Sequence, residues 1–201
     1  MTTENRKTKL SASEIIAVIS AVGLIGWIIT DFFGGMIIWL LSYGLIIIPV
    51  ILLYTFSIFD TIISLIRKGK QTSKIKLTAH GIVVFSIFAF NLYHSEIFKS
   101  EKIMTAVLKD DLYYYRLILR RNGNVENQAN GMFGFSQTFY GKYKIENDLI
   151  IFSEKPYDND FIPDTLLIDK EQGALFMEKD SKGKFRTEKE WLNHFEIEKN
   201  E

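Results

Sequence analysis

The run from Met36 to Ile66 carries no charged side chain before Asp60 and consists mostly of Leu, Ile, Val and aromatic residues. A bilayer core takes about 20 consecutive apolar residues of helix, whereas a helix on the surface of a water-soluble domain keeps a polar face. At ~1.5 Å per residue the run would reach roughly 46 Å, so its last turns must protrude or tilt. Such a stretch predicts a membrane-anchored chain, and the remaining segments are read around it.

Two further runs have the length and composition of spans. The first, about residues 12–32, follows a polar tail (1–11) containing Arg6, Lys7 and Lys9. Its basic start and apolar centre would also suit a signal peptide, but TDFFGG is a poor cleavage site, so a retained span is expected. Ser13, Ala17 and Ala21, with Gly23 and Gly26, form a smooth face that lets a neighbouring helix approach closely. That face is the candidate contact for the second span, and equally for a homo-oligomer. Trp27 and Trp39 flank the DFFGG connection, which places both indoles at one membrane surface if the first two spans form a hairpin. Within the second span, about 36–60, Pro49 predicts a kink that frees carbonyls near Leu45. The third run, about 77–98, is interrupted by His80, Asn91 and His94.

Charge orients the three spans. Arg67, Lys68, Lys70, Lys74 and Lys76 crowd the loop 67–76, and short loops rich in Lys and Arg are kept on the cytoplasmic side. The tail 1–11 then lies inside as well, and residues 99–201 lie outside. An integral protein of a bacterial inner membrane is the expected location. The basic cluster also suits anionic headgroups, so the lipid bilayer is itself a partner.

After Lys99 the apolar period changes. Lys99–Asp111 reads as a short polar continuation of the third helix or a stalk, with a stripe at Ile103, Val107 and Leu108. LYYYRLILRR alternates, Tyr113, Tyr115, Leu117 and Leu119 sharing one face, and stops at Asn122-Gly123. MFGFSQTFYGKYKI, residues 132–145, reads as the next strand, with Gly134 and Gly141 marking bulges. Across the turn Glu146-Asn147-Asp148, Tyr143 and Ile145 are expected to face Leu149 and Ile151. TLLID and ALFMEK form a hairpin around Glu171-Gln172-Gly173, and Thr187 with Glu190 suggests a capping box for a terminal helix over 188–198. The expected fold class is therefore three transmembrane helices followed by a small, mostly-β domain, an antiparallel meander or half-barrel of five or six strands with a C-terminal helix.

Residue types exclude much chemistry. There is no cysteine, hence no disulfide, thiolate nucleophile or Cys-based metal site. No G-x-S-x-G or phosphate-binding glycine motif is present. Residues 99–201 carry 16 Lys and Arg against 19 Asp and Glu, the mix of a solvated domain and not of a nucleic-acid partner. Asp158, Asp160 and Asp164 begin like a calcium loop, but Pro163 and Asp169 stand where glycine and glutamate would be needed. No catalytic residue, metal site or cofactor is assigned.

What remains are candidate binding groups. Tyr113, Tyr115, Phe133, Phe135 and Tyr140 could line a ligand cavity in a curled sheet. Asp60, Asn91 and His94 are the polar intramembrane candidates. The function expected from this architecture is a non-enzymatic membrane protein whose β-domain binds a protein partner or ligand in the cell envelope, such as an immunity protein or accessory subunit. The alternatives are a lipocalin-like binder or carrier of an apolar small molecule, and an intramembrane enzyme or ion pathway.

Overall fold

The computed structural model describes residues 10–157 and 161–198. It divides at Ser95 into two compact units, a helical one and a β one.

In the first unit, three helices are long and apolar enough to cross a membrane: α1 (Ala12–Ile29, extended by a 3₁₀ turn to Phe33), α2 (Met36–Lys68) and α3 (Lys74–His94). The second helix runs past the expected residue 60 to the end of the apolar pattern. The third starts three residues before Leu77, capped by the Ser73 hydroxyl on the Lys76 N–H, and stops four residues before Phe98. Trp27 donates its indole N–H to the Met36 carbonyl (3.1 Å) and Trp39 to the Phe33 carbonyl (2.9 Å), so both rings tie down the α1–α2 connection. The helix departs from regular geometry at Tyr43 (φ −124°, ψ 28°), not at Leu45. Pro49 lies inside helical backbone, and Tyr43, six residues before it, stacks on Trp39.

The small-residue face of α1 is used within the chain. Ala17, Ser20 and Ala21 are buried, and Ala21 packs with Ala79 and Val83 of α3. A Cβ at Gly23 would stand 2.8 Å from Val50 Cγ1 of α2, so the glycine is what allows that approach. α1 is thus the central helix, while α2 and α3 meet chiefly through polar groups near the basic loop.

The second unit is a closed barrel of eight antiparallel strands in sequence order: β1 (Lys102–Lys109), β2 (Tyr113–Arg120), β3 (Asn124–Gly131), β4 (Ser136–Glu146), β5 (Leu149–Glu154), β6 (Thr165–Asp169), β7 (Ala174–Phe176) and β8 (His194–Glu198), with β8 pairing back onto β1. Closure leaves no exposed sheet edge. Leu117, Leu119, Val125, Ile150, Leu166, Leu175 and Phe195 meet inside with no accessible surface, and Tyr157 and Ile162 of the β5–β6 loop join them. An eight-stranded barrel is narrow, with room for packed side chains or at most one small ligand.

Four expectations are corrected. The half-barrel is a whole one, because the segment read as a helix continuation or stalk and the segment read as a terminal helix both contain strands. Lys102–Lys109 points Met104, Ala106 and Leu108 inward at period two, and its free edge is covered by β8. The terminal helix over 188–198 does not form: Leu192 takes φ 60°, and the Asn193 side chain serves the Glu190 N–H and the Glu188 carbonyl. Phe195 and Ile197 then alternate into the core as a strand. The expected strand 132–145 opens with a 3₁₀ turn at Met132–Gly134 and is strand only from Ser136, and the polar stretch NVENQANG before it is β3. Finally, Asn147 (φ 56°) makes a two-residue turn, so Ile145 faces Ile150 and Tyr143 faces Phe152, one residue away from the expected register. Gly141 does sit beside a bulge, at Lys142/Tyr143, whereas Gly134 belongs to the turn.

Candidate functional site

The strand order places the loops 110–112, 132–135, 155–164 and 177–193 at one end of the barrel, opposite Lys102. This end collects four of the five aromatic candidates. Tyr113 opens β2 opposite Gly131 of β3, and its ring lies across that glycine, where a Cβ would be 2.8 Å from Tyr113 Cε1. Tyr113 stacks on Tyr115 (centroids 5.9 Å) and meets Phe135 edge to face (6.2 Å). Burial pushes the Tyr115 hydroxyl pKa up, aided by the nearby Asp110 carboxylate. Beside this group the β3–β4 turn holds Met132 and Phe133 outward, Phe133 at φ 57° and 69% exposed, with Leu112 in the adjacent loop also exposed. Phe161 and Trp191, in the remaining two loops of the same end, are exposed as well. Non-glycine residues avoid positive φ, so the conformation of Phe133 is imposed by its turn.

Four of the five aromatic candidates are therefore brought to one end. Tyr140 is not: in mid-β4 it stands opposite Glu126 on the outer wall. Tyr113, Tyr115 and Phe135 form the floor of an apolar patch whose projecting rim is Leu112, Met132 and Phe133. Exposed apolar side chains grouped in this way can bury themselves against another surface.

The intramembrane candidates fall into two places. Asp60 on α2 forms an ion pair with Lys76 on α3 (2.5 Å), next to His80, whose Nε2 lies 3.1 Å from Thr61 Oγ1 and 3.4 Å from Ser57 Oγ, its ring edge-on to Tyr54. His80 is buried, and its Nδ1 has no hydrogen-bond partner. His94 stands 3.6 Å from Asp31, among Phe32, Phe90 and Tyr93. Asn91 donates to the Ile87 carbonyl of its own helix. Lys76 and His94 are separated by ~27 Å along α3, so Asp60 and the Asn91–His94 pair belong to different ends of the helix. Of the basic residues, Lys76 is turned inward to Asp60. Arg67, Lys68 and Lys74 have no acidic partner within ion-pair distance among the described residues, and Lys70 lies in the 3₁₀ turn between α2 and α3.

The most deeply buried charges were not singled out from sequence. Arg120 on the outer wall of β2 donates to Glu126 Oε1 of β3 (2.7 Å), to the Ser100 carbonyl (2.6 Å) and to Glu96, while Lys99 reaches Glu126 (3.0 Å). Arg120 and Glu126 are both nearly inaccessible. The network holds residues 96–100 against the barrel wall, and the Arg120 guanidinium keeps the Glu96 carboxyl below the usual carboxylate range. The available signal was the alternation of β2, which puts Arg116 and Arg120 on the face opposite the core.

Of the acidic triplet, Asp158 and Asp160 lie outside the described residues; Asp164 pairs with Lys155. Among the described residues no group of three His, Asp or Glu side chains is gathered to hold a metal. No protein-family model matches the chain, and neither a curated protein nor a solved structure matches it significantly.

Proposed function

We propose that this chain is a non-enzymatic protein of the bacterial inner membrane, N-terminus inside, which presents its barrel outside to a protein partner of the envelope. An immunity protein or an accessory subunit works in this way. The carrying observation is the apolar end of the barrel: Leu112, Tyr113, Met132 and Phe133, at the neighbouring β1–β2 and β3–β4 connections, all expose large apolar side chains, and Phe133 and Leu112 are more exposed than Ile103, Tyr140 or Ile145 on the strands. Aromatic residues and methionine are the types enriched in the buried centre of protein interfaces. The basic loop supports the orientation.

A photo-crosslinking residue at Phe133, in cells expressing the full chain, tests the reading. A discrete adduct is expected, absent when the crosslinker replaces Lys182 and lost from the Phe133 position on adding Met132→Asp. Equal, diffuse labelling from both sites in a chain that is expressed and protease-resistant would end the proposal.

One observation favours the small-molecule alternative. The buried Asn127, facing inward between Leu117 and Phe139, leaves its Oδ1 without a partner. A ligand with a hydrogen-bond donor would satisfy it. Extraction of a stoichiometric compound from the purified protein, lost in Asn127→Leu, would put this reading first.

A further inference from the structure

A groove of about 330 Å³ runs along the seam of α1 and α3, walled by Val18, Val22 and Ile25 on one side and Ile75, Thr78 and Ile82 on the other. Its depth comes from Ala21 and Ala79, which are too small to fill the space between those walls. The polarity of the α3 wall changes in order. Lys74, Thr78 and Ile82 succeed one another at four-residue spacing on one helix face, covering ~12 Å along the axis. Lys74 stands at the mouth, exposed, with no carboxylate within ion-pair distance among the described residues, although Lys76 two positions on is paired with Asp60. Arg67 and Lys68 at the end of α2 add positive charge to the same loop region.

A cation at the water side, a hydroxyl below it and hydrocarbon beneath match the order of a phospholipid: phosphate, ester, acyl chain. We infer that this groove binds one anionic phospholipid, its acyl chain lying between Val22 and Ile82 and its phosphate on Lys74. The long Lys74 stem lets the ammonium reach the headgroup plane while its methylenes cover the groove mouth. Anionic lipids are those to which juxtamembrane cations are drawn, and a neutral zwitterion would gain only the apolar part of the contact. The inference rests on the three helices crossing a bilayer, and not on the identity of the barrel's partner; crosslinking from Phe133 can fail while lipid binding holds.

The test is native mass spectrometry of the full-length protein in mild detergent, incubated with phosphatidylglycerol or with phosphatidylcholine of the same chains. One retained phosphatidylglycerol per chain is expected, favoured over phosphatidylcholine by about fivefold, the value of one lysine at a membrane surface. Lys74→Gln should bring that ratio close to one while retaining weak binding of both lipids. Thr78→Trp fills the groove from α3 and Val22→Trp fills it from α1; both residues are exposed, and each variant should lose the adduct. Equal retention of the two lipids by the wild type, or adducts unaffected by both tryptophans, overturns the inference. So does a wild-type dimer that Thr78→Trp converts to monomer, since the occupant would then be a second copy.

Discussion

Arg120→Met removes the guanidinium at the centre of the barrel's buried charge network and leaves Glu126 almost inaccessible to water. Breaking a buried ion pair on one side costs about 3–5 kcal/mol, because the remaining charge is neither solvated nor paired. Lys99 stays 3.0 Å from Glu126, and so the lower end applies: about 3 kcal/mol, a large share of the roughly 5–15 kcal/mol that holds a domain together. The Glu96 contribution is left out because that carboxylate is half exposed and the pair is screened. Tyr143 donates to the Arg120 carbonyl, a contact the substitution keeps. Replacing both partners, Arg120→Met with Glu126→Leu, removes the stranded charge, and stability should return to within about 1 kcal/mol of wild type. Urea titration of the full chain in detergent, read by pulse proteolysis of the barrel, measures both. A single variant within about 1 kcal/mol of wild type, or a double variant no better than the single, would refute the reasoning.

Other consequences follow from glycine packing and from one imidazole. A Cβ at Gly141 would lie 2.2 Å from the Glu154 carbonyl oxygen and 2.8 Å from Pro156 N, both backbone; Gly141→Ala should therefore cost about 3 kcal/mol or more in the same titration, and a neutral result would contradict the packing. Gly23→Leu should separate α1 from α2 at Val50, seen as loss of the disulfide-crosslinking efficiency between cysteines placed at Trp27 and Ile47; undiminished crosslinking would count against that contact. Burial lowers the pKa of His194, helped by Lys189 and opposed by Glu196. The unfolded chain then takes up the proton first, so this contribution to barrel stability is complete above about pH 6.5 and declines as pH falls toward the folded-state pKa. The urea midpoint should be lower at pH 5.5 than at pH 7, with a smaller difference in His194→Gln; an identical difference in the variant would assign the effect elsewhere.

The helices were legible in the sequence because a bilayer demands long apolar runs, and Trp27 and Trp39 marked the hairpin. Their boundaries moved where capping decides, as at Ser73. In the barrel, strands with alternating large apolar residues, such as Tyr113–Leu119, were legible. β3 was hidden because its inward residues are Val125, Asn127 and Ala129, too small or polar to show a period, and because its outward Glu126 is neutralised by Arg120, a contact that only the pairing of strands reveals. β1 and β8 were misread for a different reason: their stability comes from each other across the whole domain, a non-local pairing that local propensity does not encode. The aromatic end was anticipated in part, since Tyr113, Tyr115 and Phe135 do converge. His80 was read only as an interruption of the third run, and its partners Ser57 and Thr61 were not singled out, although they lie one turn apart on the face of α2 that meets α3.

The orientation of the chain is the claim on which the rest depends, and the absence of cysteine allows it to be read directly. Single cysteines at Gln71, in the basic loop, and at Ser181, in an exposed turn of the barrel, are labelled in intact cells with a membrane-impermeant maleimide. Labelling of Ser181→Cys in intact cells, with Gln71→Cys labelled only after lysis, is the predicted result. The reverse pattern would place the barrel in the cytoplasm and contradict an envelope partner.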